Sequence, residues 1–156
     1  MADPHRLLVV YHSRSGGTQA MTDAVVEGAT DDAISGVDVV VQRAFDTSPD
    51  DVRSCNAIIL GTPSNFGYMS GALKDFFDRV FYEVVEDTPG LPYALYVKAS
   101  TDADGAVRSV ERIVAGLRWK AIAPPLVVAG DFGPDDRDRC YELGGTMAAG
   151  LEAGMF

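Results

Sequence analysis

Apolar stretches of strand length alternate five times with stretches of helical periodicity, and this alternation constrains the fold more than any other feature of the sequence. The predicted strands are near-continuous apolar runs, which is typical of strands buried on both faces. They cover residues 6–11, 37–41, 57–60, 93–97 and 126–129. Helices are predicted from Thr18, from Pro49, around 72–81, over 105–119 and from Pro134 to about Gly150. The pattern indicates parallel strands joined by right-handed crossovers, with helices on both faces of the sheet.

A length of 156 residues corresponds to one domain, and no linker, repeat or low-complexity stretch divides residues 1–156. The formal net charge of −10 argues against nucleic acid and anionic membranes as partners, because phosphates repel an acidic surface. The longest apolar runs are far shorter than the roughly 20 residues that a membrane helix needs. The N-terminal residues make a poor signal peptide and the two cysteines give no disulfide framework, so a cytoplasmic location is expected.

The first predicted strand is followed by a turn of small and hydroxyl-bearing residues, Ser13-Arg14-Ser15-Gly16-Gly17-Thr18. Neither the P-loop pattern nor Gly-x-Gly-x-x-Gly occurs at this position. Glycines let the backbone approach an anion closely, and the free amides of the following helix point towards it. Hydroxyl groups add donors without adding charge. The turn predicts a site for a phosphate monoester, and the alternative is a capped turn that binds no ligand.

A glycine-rich loop after the third strand is expected at the same edge of the sheet, because ligands bind outside the carboxyl ends of parallel strands. It reads Gly-Thr-Pro-Ser-Asn-Phe-Gly-Tyr-Met-Ser-Gly over residues 61–71 and brings Asn65, Phe66 and Tyr68 near the phosphate turn. A flat ring system could lie against these side chains. The alternative is a surface loop with Phe66 packed into the core. The other loops at this edge are residues 98–105 and 130–135.

The turn at 13–18, the Pro-Ser-Asn-Phe-Gly-Tyr-Met loop and the Leu-Lys-Asp-Phe-Phe-Asp-Arg helix together resemble the flavodoxin-like FMN-binding family. The resemblance is closest to the NAD(P)H-dependent FMN and quinone reductases of the tryptophan-repressor-binding-protein type, and it extends over about residues 6–150. It implies an α/β fold, a flavodoxin-like three-layer sandwich whose five-stranded parallel sheet has the order 2-1-3-4-5 with helices on both faces. Residues 1–156 would then form a single FMN-binding domain.

The resemblance also implies which residues contact FMN. The phosphate would be held by Ser13, Arg14, Ser15, Gly16, Gly17 and Thr18. The flavin ring would be lined by Pro63, Ser64, Asn65, Phe66 and Gly67. The third flavin loop would contribute Ser100, Thr101, Asp102 and Gly105. This loop lacks the glycine-rich stretch with a histidine that the reductase branch often carries, and neither a catalytic side chain nor a metal site is predicted.

The implied activity is that of an FMN-dependent oxidoreductase, which transfers electrons from NAD(P)H through FMN to a quinone or a similar acceptor. One alternative is an acidic electron carrier of the flavodoxin kind, because aspartates near the flavin edge would steer a basic protein partner. Another is an interaction module that has lost FMN. A homodimer through the helix predicted around 72–81 is a further hypothesis. Tyr82 and Val85 widen the apolar stripe of that helix beyond one face.

Several other side chains have two interpretations each. Lys98, at the end of the fourth strand, either reaches the flavin ring or extends into water. His12 either touches a phosphate or is a solvated turn residue. Asp102 and Asp104 either lower the flavin potential by charge repulsion or serve in loop and cap chemistry. Cys55 and Cys140 are expected to fill the core rather than to perform redox chemistry.

Overall fold

Parallel strands form the central layer of the fold, as the apolar runs predict. The computed structural model describes residues 3–156, and its strands are β1 (His5–Tyr11), β2 (Val37–Arg43), β3 (Ala57–Asn65), β4 (Tyr68–Met69), β5 (Pro92–Ala99), β6 (Lys120–Ala121) and β7 (Leu126–Ala129). The helices are α1 (Gly17–Ala29), α2 (Pro49–Ser54), α3 (Gly71–Val84), α4 (Asp104–Leu117) and α5 (Pro134–Glu152), with a 3-10 turn at Ala44–Asp46. Within residues 3–156, none of these helices has the length and apolar character needed to cross a membrane.

The hydrogen-bonded order of the sheet is β2-β1-β3-β5, and both β6 and β7 pair with the outer edge of β5. Since β5 is the fourth predicted strand and β7 the fifth, the predicted order 2-1-3-4-5 is confirmed. The short strand β6 is an unpredicted segment of the same edge, paired with Pro92 and Tyr93 where β5 begins. Pro124 and Pro125 separate β6 from β7, because proline has no N–H to donate to a ladder.

Each parallel strand sends alternate side chains to opposite faces, and both faces are buried. Leu7 and Val9 of β1 pack on the side of α1 and α5, whereas Leu8 and Val10 pack on the side of α2, α3 and α4. The sheet therefore lies between two apolar cores, which explains why its strands are apolar throughout.

The two cysteines are core residues, as predicted. Cys55 packs in the core on the side of α3, and Cys140 packs in the core on the side of α1. Burial raises the pKa of the Cys55 thiol to about 12 and that of the Cys140 thiol to about 11. Because the thiolate is the reactive form of cysteine, neither side chain is activated for redox chemistry at neutral pH.

Local chemistry determines where the helices begin and end. Ser48 Oγ accepts the N–H of Asp51 while the Asp51 carboxylate accepts the N–H of Ser48, and Pro49 occupies the first turn. This capping box confirms the predicted start of α2. The helix predicted over 105–119 ends at Leu117 instead, because Arg118 takes the left-handed conformation with a φ of 61°.

The segment 62–70, predicted as a loop, is largely a β-hairpin. The strand β3 continues to Asn65 and pairs antiparallel with β4, with Asn65 opposite Tyr68. Phe66 and Gly67 connect the two strands with φ values of 53° and 72°. Two consecutive positive φ values define a type I′ turn, whose twist matches that of the flanking strands. The sequence pattern does not predict this turn, because asparagine is far more usual than phenylalanine at its first position.

The surface of α3 carries two ion pairs that the sequence predicts. Lys74 Nζ lies 2.7 Å from the Asp78 carboxylate, and Arg79 Nε lies 2.7 Å from the Asp75 carboxylate. Tyr82 on the same helix is exposed. The homodimer through this helix stays a prediction.

Two adjacent glycines lie in the middle of α5, where this helix crosses α1. A Cβ on Gly144 would lie 1.9 Å from the carbonyl oxygen of Val25, and a Cβ on Gly28 would lie 1.9 Å from the carbonyl oxygen of Tyr141. A Cβ on Gly145 would be in ordinary contact, 3.6 Å from the carbonyl oxygen of Gly28. The helix continues through this weak helix-forming segment because close packing against α1 stabilises it.

We expect Gly144→Ala to lower the free energy of unfolding by about 1–3 kcal/mol, because the added methyl group must push two helix backbones apart. Gly145→Ala is the matched control, and its greater helix propensity should leave stability unchanged or raise it by up to about 1 kcal/mol. Urea unfolding followed by circular dichroism measures both variants. Equal stabilities would contradict the close contact between α1 and α5.

Candidate functional site

Three loops leave the carboxyl ends of β1, β3 and β5 at the same height. The parallel register aligns Tyr11, Gly61 and Tyr96 in one row across these strands. A cavity of about 140 Å³ lies at this edge of the sheet. Its lining residues are Arg14, Ser15, Gly17, Thr18, Pro63, Ser64, Asn65, Lys98, Ala99 and Ser100. The fourth loop expected here, residues 130–135, contributes none of the described residues that line this cavity.

The turn between β1 and α1 presents hydrogen-bond donors at this cavity. Gly16 has a φ of 94°, a left-handed conformation that glycine adopts without strain. Ser13 Oγ accepts the N–H of Gln19 at 3.1 Å, which satisfies one amide of the first helical turn. The amides of Gly17 and Thr18 come earlier in that turn, where an α-helix offers no carbonyl partner. An anion in the cavity would therefore meet free amides at the positive end of α1.

A buried hydrogen bond fixes α1 against the sheet. Thr22 Oγ1 and the Tyr96 hydroxyl oxygen lie 2.6 Å apart, and both residues are buried. The Tyr96 ring extends over β3, where a Cβ on Gly61 would lie 2.1 Å from it. Burial is the largest influence on the pKa of Tyr96 and raises it, so the side chain is a neutral phenol. Gly61 thus makes room for the tyrosine that positions α1.

The β3–β4 hairpin places an aromatic side chain in solvent. Phe66 is fully exposed at the tip, so the alternative in which it packs into the core is wrong. Ser64 Oγ donates to the carbonyl oxygen of Asp102 at 3.2 Å. A Cβ on Gly105 would lie 1.9 Å from the carbonyl oxygen of Gly67, so the hairpin touches the first turn of α4. The hairpin and the third loop are therefore held together at the backbone.

The third loop contributes to two different surfaces. Ser100 lines the cavity, Asp102 and Gly105 line a neighbouring groove of about 560 Å³, and Thr101 lines neither. The Asp102 carboxylate accepts the N–H of Asp104 at 2.9 Å, which is a hydrogen bond within the loop. The N-cap residue of α4 is Ala103, which makes no side-chain cap hydrogen bond. The groove is also lined by Gly67, Tyr68, Lys74, Asp104, Arg108, Ser109, Arg112 and Ile113.

Some residues of the predicted FMN site lie around the cavity rather than in its lining. Ser13 and Gly16 shape the turn behind it, and Phe66 and Gly67 lie at the hairpin tip. The structure therefore brings most of the first two predicted groups together and divides the third.

Lys98, for which the sequence left two interpretations open, lines the cavity. Its Cγ and Cε atoms lie 3.1 and 3.2 Å from the position that a Cβ would take on Gly17. Nζ donates to the carbonyl oxygen of Ala99 at 3.2 Å, and the side chain lines the cavity instead of extending into water. Strand alternation is the signal that could have shown this position. Lys98 lies two residues after Tyr96, so its side chain points to the same face of the sheet, towards α1.

His12 precedes the turn and lies outside the cavity lining. It is half-buried rather than solvated, and its ring packs edge-on against Phe45 with the centroids 6.3 Å apart. Burial, and then the charge of Arg14, lower the pKa of His12 below its ordinary value. The imidazole is therefore neutral at pH 7 and adds no charge to the turn.

Comparison with known proteins relates these features to a family. The family model for NADPH-dependent FMN reductases matches residues 32–133. The NAD(P)H dehydrogenase (quinone) of Acidithiobacillus ferrooxidans is 35% identical over 47% of this chain and 46% of that protein. The flavodoxin of Aquifex aeolicus is 31% identical over 54% of this chain and 45% of that protein. The chain therefore spans about half the length of the curated relatives it matches.

The fold has close counterparts among solved structures. A flavodoxin from the domain Archaea superposes with a TM-score of 0.77 at 23% identity, covering 94% of this chain and 98% of that chain. This likeness shows the flavodoxin-like fold. The region matched by the family model contains the hairpin and the third loop, which are two of the three segments that line the cavity. By this match, the chain belongs to the NADPH-dependent FMN reductase family.

Proposed function

We propose that this chain binds FMN at the cavity and catalyses the oxidation of NAD(P)H by a quinone or a similar acceptor. The overall reaction converts NAD(P)H, a proton and a quinone into NAD(P)⁺ and a quinol. FMN, when bound, supplies the redox chemistry, since a flavin accepts two electrons from a nicotinamide and passes them on. The observation that carries the proposal is a single sheet edge that combines an anion-binding turn, a cationic cavity and an exposed aromatic hairpin.

The donor set of the cavity fits a phosphate monoester. The amides of Gly17 and Thr18 and the hydroxyl of Ser15 supply neutral donors, and Arg14 supplies positive charge. The dipole of α1 adds about 0.3–1 kcal/mol for a negative charge at its N-terminus. These groups would hold the FMN phosphate, and the turn needs no metal ion to do so.

The hairpin fits a flat aromatic ring. Phe66 is a non-glycine residue in the left-handed region and is fully exposed, so neither backbone preference nor packing explains its presence. Strained residues of this kind cluster at ligand sites. We assign Phe66 as an aromatic surface for the flavin ring, while Ser64 and Asn65 beside it offer polar groups to the ring edge.

The groove beside the hairpin offers a place for the phosphates of NAD(P)H. Arg108 and Arg112 line it, and within the described residues neither forms an ion pair. Lys74 also lines the groove but is paired with Asp78. Arginine binds phosphate oxygens with two parallel hydrogen bonds. Asp102 in the same groove directs a carboxylate oxygen at the first turn of α4, where the helix dipole offsets its charge.

An acidic electron carrier for a protein partner is the second candidate function. The net charge of −10 favours it, because an acidic surface attracts a basic partner and repels the phosphates of NAD(P)H. Part of that charge is already paired locally, since Asp46 contacts Arg43 and Asp50 contacts Arg53. A carrier would bind FMN without oxidising either nucleotide, and this difference separates the two candidates.

We expect Gly16→Ala to weaken FMN binding about tenfold or more, because a Cβ opposes the left-handed backbone that directs the turn at the cavity. Gly36→Ala is the matched control. Both glycines have positive φ, 94° and 72°, and a Cβ at either would meet no described atom within 4 Å, but Gly36 lies beside His5 at the opposite edge of the sheet. Fluorescence quenching of FMN measures both Kd values. If the Gly16→Ala and Gly36→Ala proteins bind FMN equally well, the assignment of the turn fails.

The variant Phe66→Asn separates the effect of residue 66 on the stability of the turn from its effect on FMN binding. Asparagine is favoured at the first position of a type I′ turn, so the variant should match the wild type in stability or exceed it by up to about 1 kcal/mol. Its affinity for FMN should fall several-fold because the aromatic surface is lost. Tyr82→Asn removes another exposed aromatic ring, from α3, and should leave FMN affinity unchanged. If the Phe66→Asn protein binds FMN as tightly as the wild type, Phe66 is not part of the FMN site.

Anaerobic addition of NADPH or NADH to the FMN-loaded protein tests the enzymatic proposal. We expect the flavin absorption to bleach within seconds, and steady-state turnover with a quinone to follow. Arg108→Ala and Arg112→Ala should each raise KM for the nucleotide with little change in kcat, whereas Arg118→Ala, beyond the last turn of α4, should change neither. Bleaching by dithionite but by neither nucleotide would refute the enzyme and favour the carrier.

A further inference from the structure

We propose that Lys98 is a second cation for the FMN phosphate, supplied by the sheet rather than by the turn, and that it makes this site prefer phosphorylated flavins. The inference rests on the proposed binding of FMN. Within residues 13–18 the only charged side chain is that of Arg14, which is exposed. A cation from β5 would therefore double the positive charge available to a phosphate dianion.

The stem of Lys98 lies along the first turn of α1. Its Cγ and Cε atoms are 3.1 and 3.2 Å from the Cβ position of Gly17, so a side chain at that position would displace the lysine. Nζ is one bond beyond Cε and therefore lies beside the turn whose amides, at Gly17 and Thr18, are free. The missing side chain of Gly17 thus makes room for the ammonium group next to the donors of the turn.

The ammonium group faces no opposite charge in the cavity. Of the ten described lining residues, Arg14 and Lys98 are the cations and none is acidic. Nζ donates one hydrogen bond to the neutral carbonyl of Ala99, which leaves two of its three N–H donors for a ligand. Two cations in one small cavity repel each other, and a bound dianion replaces that repulsion with attraction to both.

The position of Lys98 in the strand favours the phosphate over the flavin ring as its partner. Lys98 is paired in register with Pro63. Its side chain points to the same face of the sheet as that of Tyr96, whose hydroxyl contacts Thr22 of α1. The lysine therefore lies on the α1 side of the sheet edge. The base of the hairpin lines the same cavity, but its tip, where we assign Phe66 to the ring, contacts α4 on the other side. Removal of the ammonium should consequently affect FMN and spare riboflavin, which has no phosphate.

Lys98→Met tests the inference, because methionine keeps an unbranched stem against Gly17 and removes the charge. Lys120→Met is the matched control, since it removes the same charge from an exposed residue that pairs with the start of β5. Each protein is titrated with FMN and with riboflavin at low and at high salt. We expect Lys98→Met to raise the Kd for FMN about tenfold or more at low salt and less at high salt. The Kd for riboflavin should stay within about twofold, and Lys120→Met should bind both ligands as the wild type does.

Two results would overturn the role of Lys98 while leaving FMN binding intact. Lys98→Met could bind FMN as tightly as the wild type, in which case the ammonium does not contact the phosphate. It could also lose FMN and riboflavin by the same factor, in which case Lys98 shapes the cavity or contacts the ring. Unfolding midpoints equal to that of the wild type exclude misfolding as the cause. A wild-type chain that binds no FMN would overturn the proposed function together with this inference.

Discussion

Hydrogen bonds between β1, β3 and β5 align Tyr11, Gly61 and Tyr96 in one row, and the segments that line the cavity follow this row at one edge of the sheet. The row also connects the sheet to α1, because Tyr96 passes over Gly61 to reach Thr22. A slip of one residue in a strand would exchange its two faces. Lys98 would then point towards α4, and the cavity at the N-terminus of α1 would lose its second cation. The strand register thus determines both the position of α1 and the side chains that line the cavity.

The distribution of charge explains how an acidic chain can attract a phosphate-bearing ligand. Five of the 13 lysines and arginines line the cavity or the groove beside it: Arg14, Lys74, Lys98, Arg108 and Arg112. At physiological salt the Debye length is about 8 Å, so a bound phosphate responds mainly to the charges next to it. The net charge of −10 then affects long-range encounters with partners and solubility. The cavity is locally cationic, because its described lining contains Arg14 and Lys98 and no carboxylate.

Features that depend on local periodicity or local backbone geometry could be predicted from the sequence. The strand and helix pattern, the sheet order and the capped start of α2 at Ser48 are of this kind. Three features could not be predicted, two because they depend on a distant element and one because its residue is unusual for its turn. The helix through Gly144 is predicted, but its close contact with α1 is not. Lys98 keeps two interpretations until its position against α1 is known. The turn at Phe66 is missed because asparagine is the usual residue at that position. Within the site, the position of Lys98 therefore depends on a tertiary contact, whereas the turn at Phe66 departs from the usual residue preference.

The outer edge of the sheet is built from two separate pieces. The strand β6 pairs with the start of β5 and β7 pairs with its end, and neither pairs with Ala94 or Leu95 between them. Short edges interrupted by proline resist pairing with foreign strands, so this edge is protected against aggregation. The connection between β6 and β7 is also a natural point for insertion, because added residues there would leave the ladders on either side intact. Evolution or design could extend the protein at this connection, for example with a partner-specific loop, without rebuilding the cavity.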